Sequence, residues 1–155
     1  MSQDPNTLDD SLPSVSPAGL HFRVGWYALT VFVFLGITLE TLHGFKVGWY
    51  LDASTETRRL MWTLAHTHGT LLSILNIVFG LSVSKITAWR GSTRTLASRC
   101  LLASLLLLPI GFLLGGVFIN GGDPGLGILL VPPGGLLLLT GVALTALAAS
   151  RREAD

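Results

Sequence analysis

Residues 101–111, "LLASLLLLPIG", decide the fold class. The stretch carries no charge and does not alternate polar with apolar positions. It lies inside an apolar run, Leu96–Ile119, whose one charge, Arg99, stands near the start. A run of that length can cross a bilayer, which takes about 20 residues. In hydrocarbon every backbone N–H and C=O needs a partner within the chain, so the run reads as a helix. A barrel strand would alternate lipid-facing with lumen-facing residues, and this stretch does not. Working outward, three further runs match it: Val24–Phe45, Leu60–Val83 and Gly127–Ala149. The expected fold is all-α, an integral membrane four-helix bundle.

Composition agrees. Half of the 155 residues are hydrophobic and 12% are charged, where a soluble domain is about 25% charged. Mean hydropathy is +0.62. A net charge of +1 predicts no nucleic-acid partner; the expected partner is the lipid bilayer. The single cysteine, Cys100, excludes an internal disulfide and a cysteine-based metal cluster, and reads as a small apolar helix residue. Residues 1–20 are acidic, rich in Pro and Ser, and lack the basic start of a cleavable signal; they read as a disordered tail. Residues 21–150 form one domain without internal repeats, followed by a short tail, 151–155.

Orientation follows from Lys and Arg. Arg23, Lys85, Arg90, Arg94, Arg99, Arg151 and Arg152 fall on the side of the termini, and Lys46, Arg58 and Arg59 on the other. The excess predicts both termini in the cytoplasm, in a cell (inner or plasma) membrane. Trp26 and Trp89 then mark the inner interface, Trp49 and Trp62 the outer. His21 and Arg23 read as juxtamembrane anchors, and Arg58 and Arg59 as interfacial ones. Asp52, Ser54 and Thr55 read as capping residues before the second span.

The polar residues within the spans gather in the outer half. Counted as helix from the outer tryptophans, His43 lies about 9 Å below the interface and Glu40 about 13 Å, with His66 at about 6 Å and His68 at about 9 Å. Glu40 and His43 are three apart and share a helical face, making them candidates for an acid–base pair. Glu-x-x-His also occurs in di-iron bundles, but those need the motif twice. His66 and His68 point about 200° apart on an ideal helix and cannot both hold one ion. His66 heads a stripe of small and polar residues with Gly69, Ser73, Asn76 and Gly80, a helix-contact seam. His68 heads a different stripe with Leu72, Leu75 and Phe79. His43, His66 and His68 are candidate ligands for haem or a metal ion. Asn120 and Asp123 fall at the outer rim, and with Asn76 complete the polar residues of the candidate pocket. Pro132-Pro133 is expected to break the last span and open carbonyls towards it. Gly111, Gly115 and Gly116 permit close packing of the third span. The basic second loop suits anionic lipid.

With "LETLHGFKVGWYLD", "AHTHG" and "GDPGLGILLVPPGGLLLL" in view, the whole chain resembles the small, functionally uncharacterised four-helix membrane proteins of bacteria. That resemblance implies fold and location only. Over one helix, "HTHG" is similar to histidine segments of haem-copper oxidases and nitric-oxide-reductase-like proteins, whose further ligand histidines are absent here. His66-x-x-Gly69 is similar to a motif of hydroxylaminobenzene mutases. Three functions follow as expectations. One is a structural or accessory protein, in a homo-oligomer or a membrane complex. Another is a haem- or metal-binding redox-associated protein. The third is a small isomerase or redox enzyme using Glu40 and His43.

Overall fold

The computed structural model describes residues 16–52, 56–86, 89–119 and 121–150. Residues 1–15 of the expected 1–20 tail, the tail 151–155, the capping residues Ser54 and Thr55, and the rim residue Asn120 lie outside these, while residues 17–20 of the expected tail belong to α1. Among the described residues the regular structure is helical: α1 Pro17–Gly44, α2 Gly48–Leu51, α3 Glu56–Lys85, α4 Ser92–Val117, a 3-10 segment Leu126–Leu130, and α5 Val131–Ser150. Four of these stretches are long and apolar enough to cross a membrane: α1, α3, α4, and Leu126–Ser150.

Local chemistry sets the ends. Ser16 caps α1, its Oγ accepting from the Gly19 N–H at 3.2 Å, and Pro17 stands in the first turn. Proline is pre-shaped for that turn and its missing N–H would be unpaired there anyway. The helix therefore starts well before the expected Val24. Lys46 at φ 51° turns the chain out of α1. α2, a single turn, was not expected. The double proline behaves differently from expectation: Pro132 and Pro133 sit in the first turn of α5, directly after the 3-10 segment, and start the helix instead of breaking it. The proline inside a helix is Pro109, buried in α4.

The spans pack in chain order. α1 lies antiparallel on α3, α3 on α4, and α4 on α5, while α1 and α5 make no packed interface with each other. α3 and α4 form the middle of the bundle. The α1–α3 seam is set by glycines. The Phe32 ring rests on Gly69, and the His66 ring rests on Gly36, where a Cβ would collide with it. Further along, Gly25 faces the Ser73 carbonyl and Gly80 faces that of Ala18. This is the seam expected from His66, Gly69, Ser73, Asn76 and Gly80. One apolar cluster centres on Met61, Ala65, Leu72, Leu105, Leu108 and Phe112. A second, on Phe79, Val83, Trp89, Ala97 and Leu101, closes the end of the bundle that carries the termini. Trp89, expected at an exposed interface, is buried there with its ring edge-on to Phe79.

Candidate functional site

His21 is wholly buried between three helices. α1 supplies it, α3 supplies Asn76 and α4 supplies Ser98. His21 Nδ1 lies 2.7 Å from Asn76 Oδ1, and Nε2 lies 2.7 Å from Ser98 Oγ. Asn76 Nδ2 donates to the Leu72 carbonyl at 2.8 Å, one turn back on its own helix. That bond fixes the amide, so its oxygen faces the imidazole. An amide oxygen only accepts, so Nδ1 carries the proton. In the neutral ring Nε2 then holds a lone pair, and the Ser98 hydroxyl donates to it. Phe79 covers the ring at a centroid distance of 4.4 Å. The expected anchor His21 is thus the centre of a relay, while Arg23, two residues on, is exposed. A sequence signal existed: His21, Gly25, Ala28, Phe32, Gly36 and Leu39 recur at helical spacing. Arg23 hides it, because the uncharged apolar run starts only at Val24.

Among the described residues, the outer polar side chains do not converge on one pocket. Glu40 and His43 are both exposed on α1. His66 turns into the α1–α3 seam, its Nδ1–H donating to the Phe32 carbonyl at 2.7 Å. His68 turns the other way. Its Nδ1–H donates to the Leu64 carbonyl at 2.9 Å and its ring packs at 4.8 Å from Phe112 of α4. Asn76 belongs to the His21 relay, far along α3 from the loop that carries exposed Asp123. Among the described residues, no group of three His, Cys, Asp or Glu could hold a metal ion.

The shared depth also dissolves, for a geometric reason. Counting from Trp49 assumed unbroken helix, but α1 ends at Gly44 and Trp49 lies in α2, its ring 6.5 Å from that of Trp62. The true register is given by Gly36 opposite His66. In an antiparallel pair this sets Glu40 level with Trp62 and His43 level with Arg59. His66 and His68 then lie deeper by about 6 and 9 Å. Glu40 and His43 are boundary residues, and the histidines of α3 are interior ones.

At that boundary the arginines are structural clamps. Arg58 Nε donates to the Gly116 carbonyl at 3.1 Å and its guanidinium lies 5.9 Å from the centre of the Trp62 ring. A cation on the last carbonyls of α4 complements the helix dipole. Arg59 Nη1 donates to the Tyr50 and Asp52 carbonyls at 3.1 and 2.9 Å, holding α2 down. Tyr50 is buried, which pushes its phenol above the usual tyrosine range against the opposing pull of the Arg59 guanidinium.

Fold and site together define an all-α multi-pass membrane protein with a His–Asn–Ser relay at one end of the bundle. Comparison with protein-family models, with curated proteins and with solved structures finds no match for this chain.

Proposed function

We propose that this chain is a structural or accessory subunit of a membrane assembly, offering the outer helix α1 and its boundary residues Glu40 and His43 to a neighbouring protein. One observation carries the reading: the titratable residues of the outer half diverge. Glu40 and His43 are exposed near the end of α1, His66 faces the α1–α3 seam and His68 faces α4. Acid–base chemistry between Glu40, His43 and His68, or one ion shared by the histidines, needs them to converge. A protein that meets a neighbour needs instead a firm interior and an outward face. α1 has that face, with Tyr27, Phe34 and Ile37 exposed along it.

The test is a photo-cross-linking amino acid placed singly at Phe34, Ile37 and, on α5, Leu139, in native membranes. Protein adducts from α1 or α5, at a mass above the monomer, are expected. Lipid adducts alone, with monomeric protein in mild detergent, would overturn the proposal. A Soret band or stoichiometric metal in the purified protein would replace it with the haem or metal reading.

A further inference from the structure

The His21–Asn76–Ser98 relay does more than a register lock requires. A lock asks only that each polar group be bonded. In the neutral ring the direction of every proton is set: Asn76 orients the ring, Nδ1 carries its hydrogen, and Nε2 takes the hydrogen bond of a serine hydroxyl at 2.7 Å. A nucleophile bonded to a base that a third group orients is the arrangement that activates serine. A second observation points the same way. Arg94 lies one turn before Ser98 on the same face of α4, and its buried Nε–H has no acceptor among the described residues. A buried donor left unpaired costs free energy and calls for an explanation. An anion arriving beside Ser98 supplies one.

Depth names the substrate class. Arg23 follows His21 by two residues and Arg99 is next to Ser98; both are exposed. Arginines on the lipid side of a span reach their guanidinium to the phosphate level. The ester carbonyls of glycerolipids lie just beneath those phosphates, and His21 and Ser98 stand within two residues of these exposed arginines. Ser98 keeps 8% of its surface exposed, where His21 keeps none.

We propose that Ser98 is a nucleophile for a lipid acyl ester, with His21 its general base, Asn76 the positioning residue and Arg94 the donor to the developing oxyanion. This goes beyond the accessory role and does not rest on it. Ser98 Oγ bonds to the carbonyl carbon and its proton passes to His21 Nε2. The ester C–O bond breaks, and the alcohol leaves with that proton. Water then attacks the acyl carbon, giving a proton to Nε2; the Oγ–acyl bond breaks, Nε2 returns the proton to Ser98 Oγ, and the fatty acid is released. Asn76 bonds the imidazolium but carries no charge to stabilise it, so the reaction is slow compared with that of a carboxylate-supported triad.

The experiment uses the full chain in phospholipid nanodiscs with a long-alkyl fluorophosphonate, and maps the adduct by peptide mass spectrometry. The adduct is expected on Ser98, absent in Ser98→Ala, slowed about a hundredfold in His21→Gln, and slowed in Arg94→Gln. No adduct on Ser98, or a rate unchanged by His21→Gln, overturns the proposal. Faster labelling by a short, water-soluble fluorophosphonate overturns the lipid assignment. Because the relay variants could fail to fold, a second measurement uses Ser98→Cys in a Cys100→Ala background. Its thiol should alkylate near neutral pH, and only at more alkaline pH once His21→Gln is added. The same profile with and without His21 refutes the base.

Discussion

One side chain, His21, ties three helices together, and its energetics set what can be asked of it. Replacing Asn76 by Leu removes the acceptor and leaves the Nδ1–H of a wholly buried ring unpaired. Interhelical hydrogen bonds in membranes average about 0.6 kcal/mol, but an orphaned buried donor costs about 1–3 kcal/mol. Asn76→Leu should therefore insert normally and lower the detergent melting temperature by more than His66→Leu does. The His66 change removes both the ring and its donor, leaving only the Phe32 carbonyl, which is already part of the α1 ladder. Equal melting for the two variants would mean that the relay carries no strain when broken. Tyr50 gives a second test at this scale. Its folded pKa is raised from 10.0, so the folded state favours the neutral phenol. Its stabilising contribution is full below the unfolded value and is lost as pH rises through the higher folded one. Alkaline titration should show one tyrosinate appearing late, together with loss of stability. Arg59→Gln should delay it further, because the guanidinium opposes the shift. A phenol that ionises at the ordinary pH would contradict this.

At the scale of elements, helix ends and helix faces carry the lessons. Pro132 and Pro133 occupy the first turn of α5, where proline is tolerated. Pro132→Ala and Pro133→Ala should therefore change stability by less than about 0.5 kcal/mol, read by thermal melting in detergent. A functional break in the span predicts a larger effect. Gly36 belongs to a face instead. Its missing Cβ is the space that the His66 ring fills, so Gly36→Ala should cost about 1–3 kcal/mol through overpacking, and His66→Ala in the same chain should recover part of it. The spans and the α3 seam were legible in the sequence because hydrocarbon forces helices and small residues at 3-4 spacing mark close approach. The outer site was not, because depth along a chain counts only while the helix continues, and the turn at Phe45 and Lys46 ends it. The relay was hidden for a related reason. Asn76 was visible as a polar seam residue, but its partner His21 lies 55 positions from it and 77 positions from Ser98. Only the packing of α1, α3 and α4 brings them together. The double proline has the sequence of a kink and the structure of a helix start. Which one it becomes depends on the 3-10 segment before it, which periodicity does not announce.

For the molecule as a whole, the arrangement has a direction. One end of the bundle carries Arg23, Lys85, Arg90, Arg94 and Arg99, with the relay among them, and the other carries Lys46, Arg58 and Arg59. Two of those last three do not behave as free interfacial charges: Arg58 and Arg59 are engaged by the Gly116, Tyr50 and Asp52 carbonyls. Arg23, Arg90 and Arg99 are exposed at the end that carries the termini. Exposed cations near span ends hold a membrane protein's orientation, and they favour the cytoplasmic side. Anionic lipid on that side adds about 1 kcal/mol for each Lys or Arg near the surface. The expected topology places α1's start, the loop before α4 and α5's end in the cytoplasm, with the Arg58–Arg59 clamp outside. Single cysteines in a Cys100→Ala background test it on intact cells with an impermeant thiol reagent. Ser54→Cys, before α3, should label without permeabilisation. Ser92→Cys, exposed in the first turn of α4, should label only after it. Labelling of Ser92→Cys alone on intact cells reverses the molecule, and would move the relay and its flanking arginines to the outer leaflet. The lipid ester proposed for Ser98 would then be drawn from that leaflet, so this labelling result decides which side of the membrane supplies the substrate.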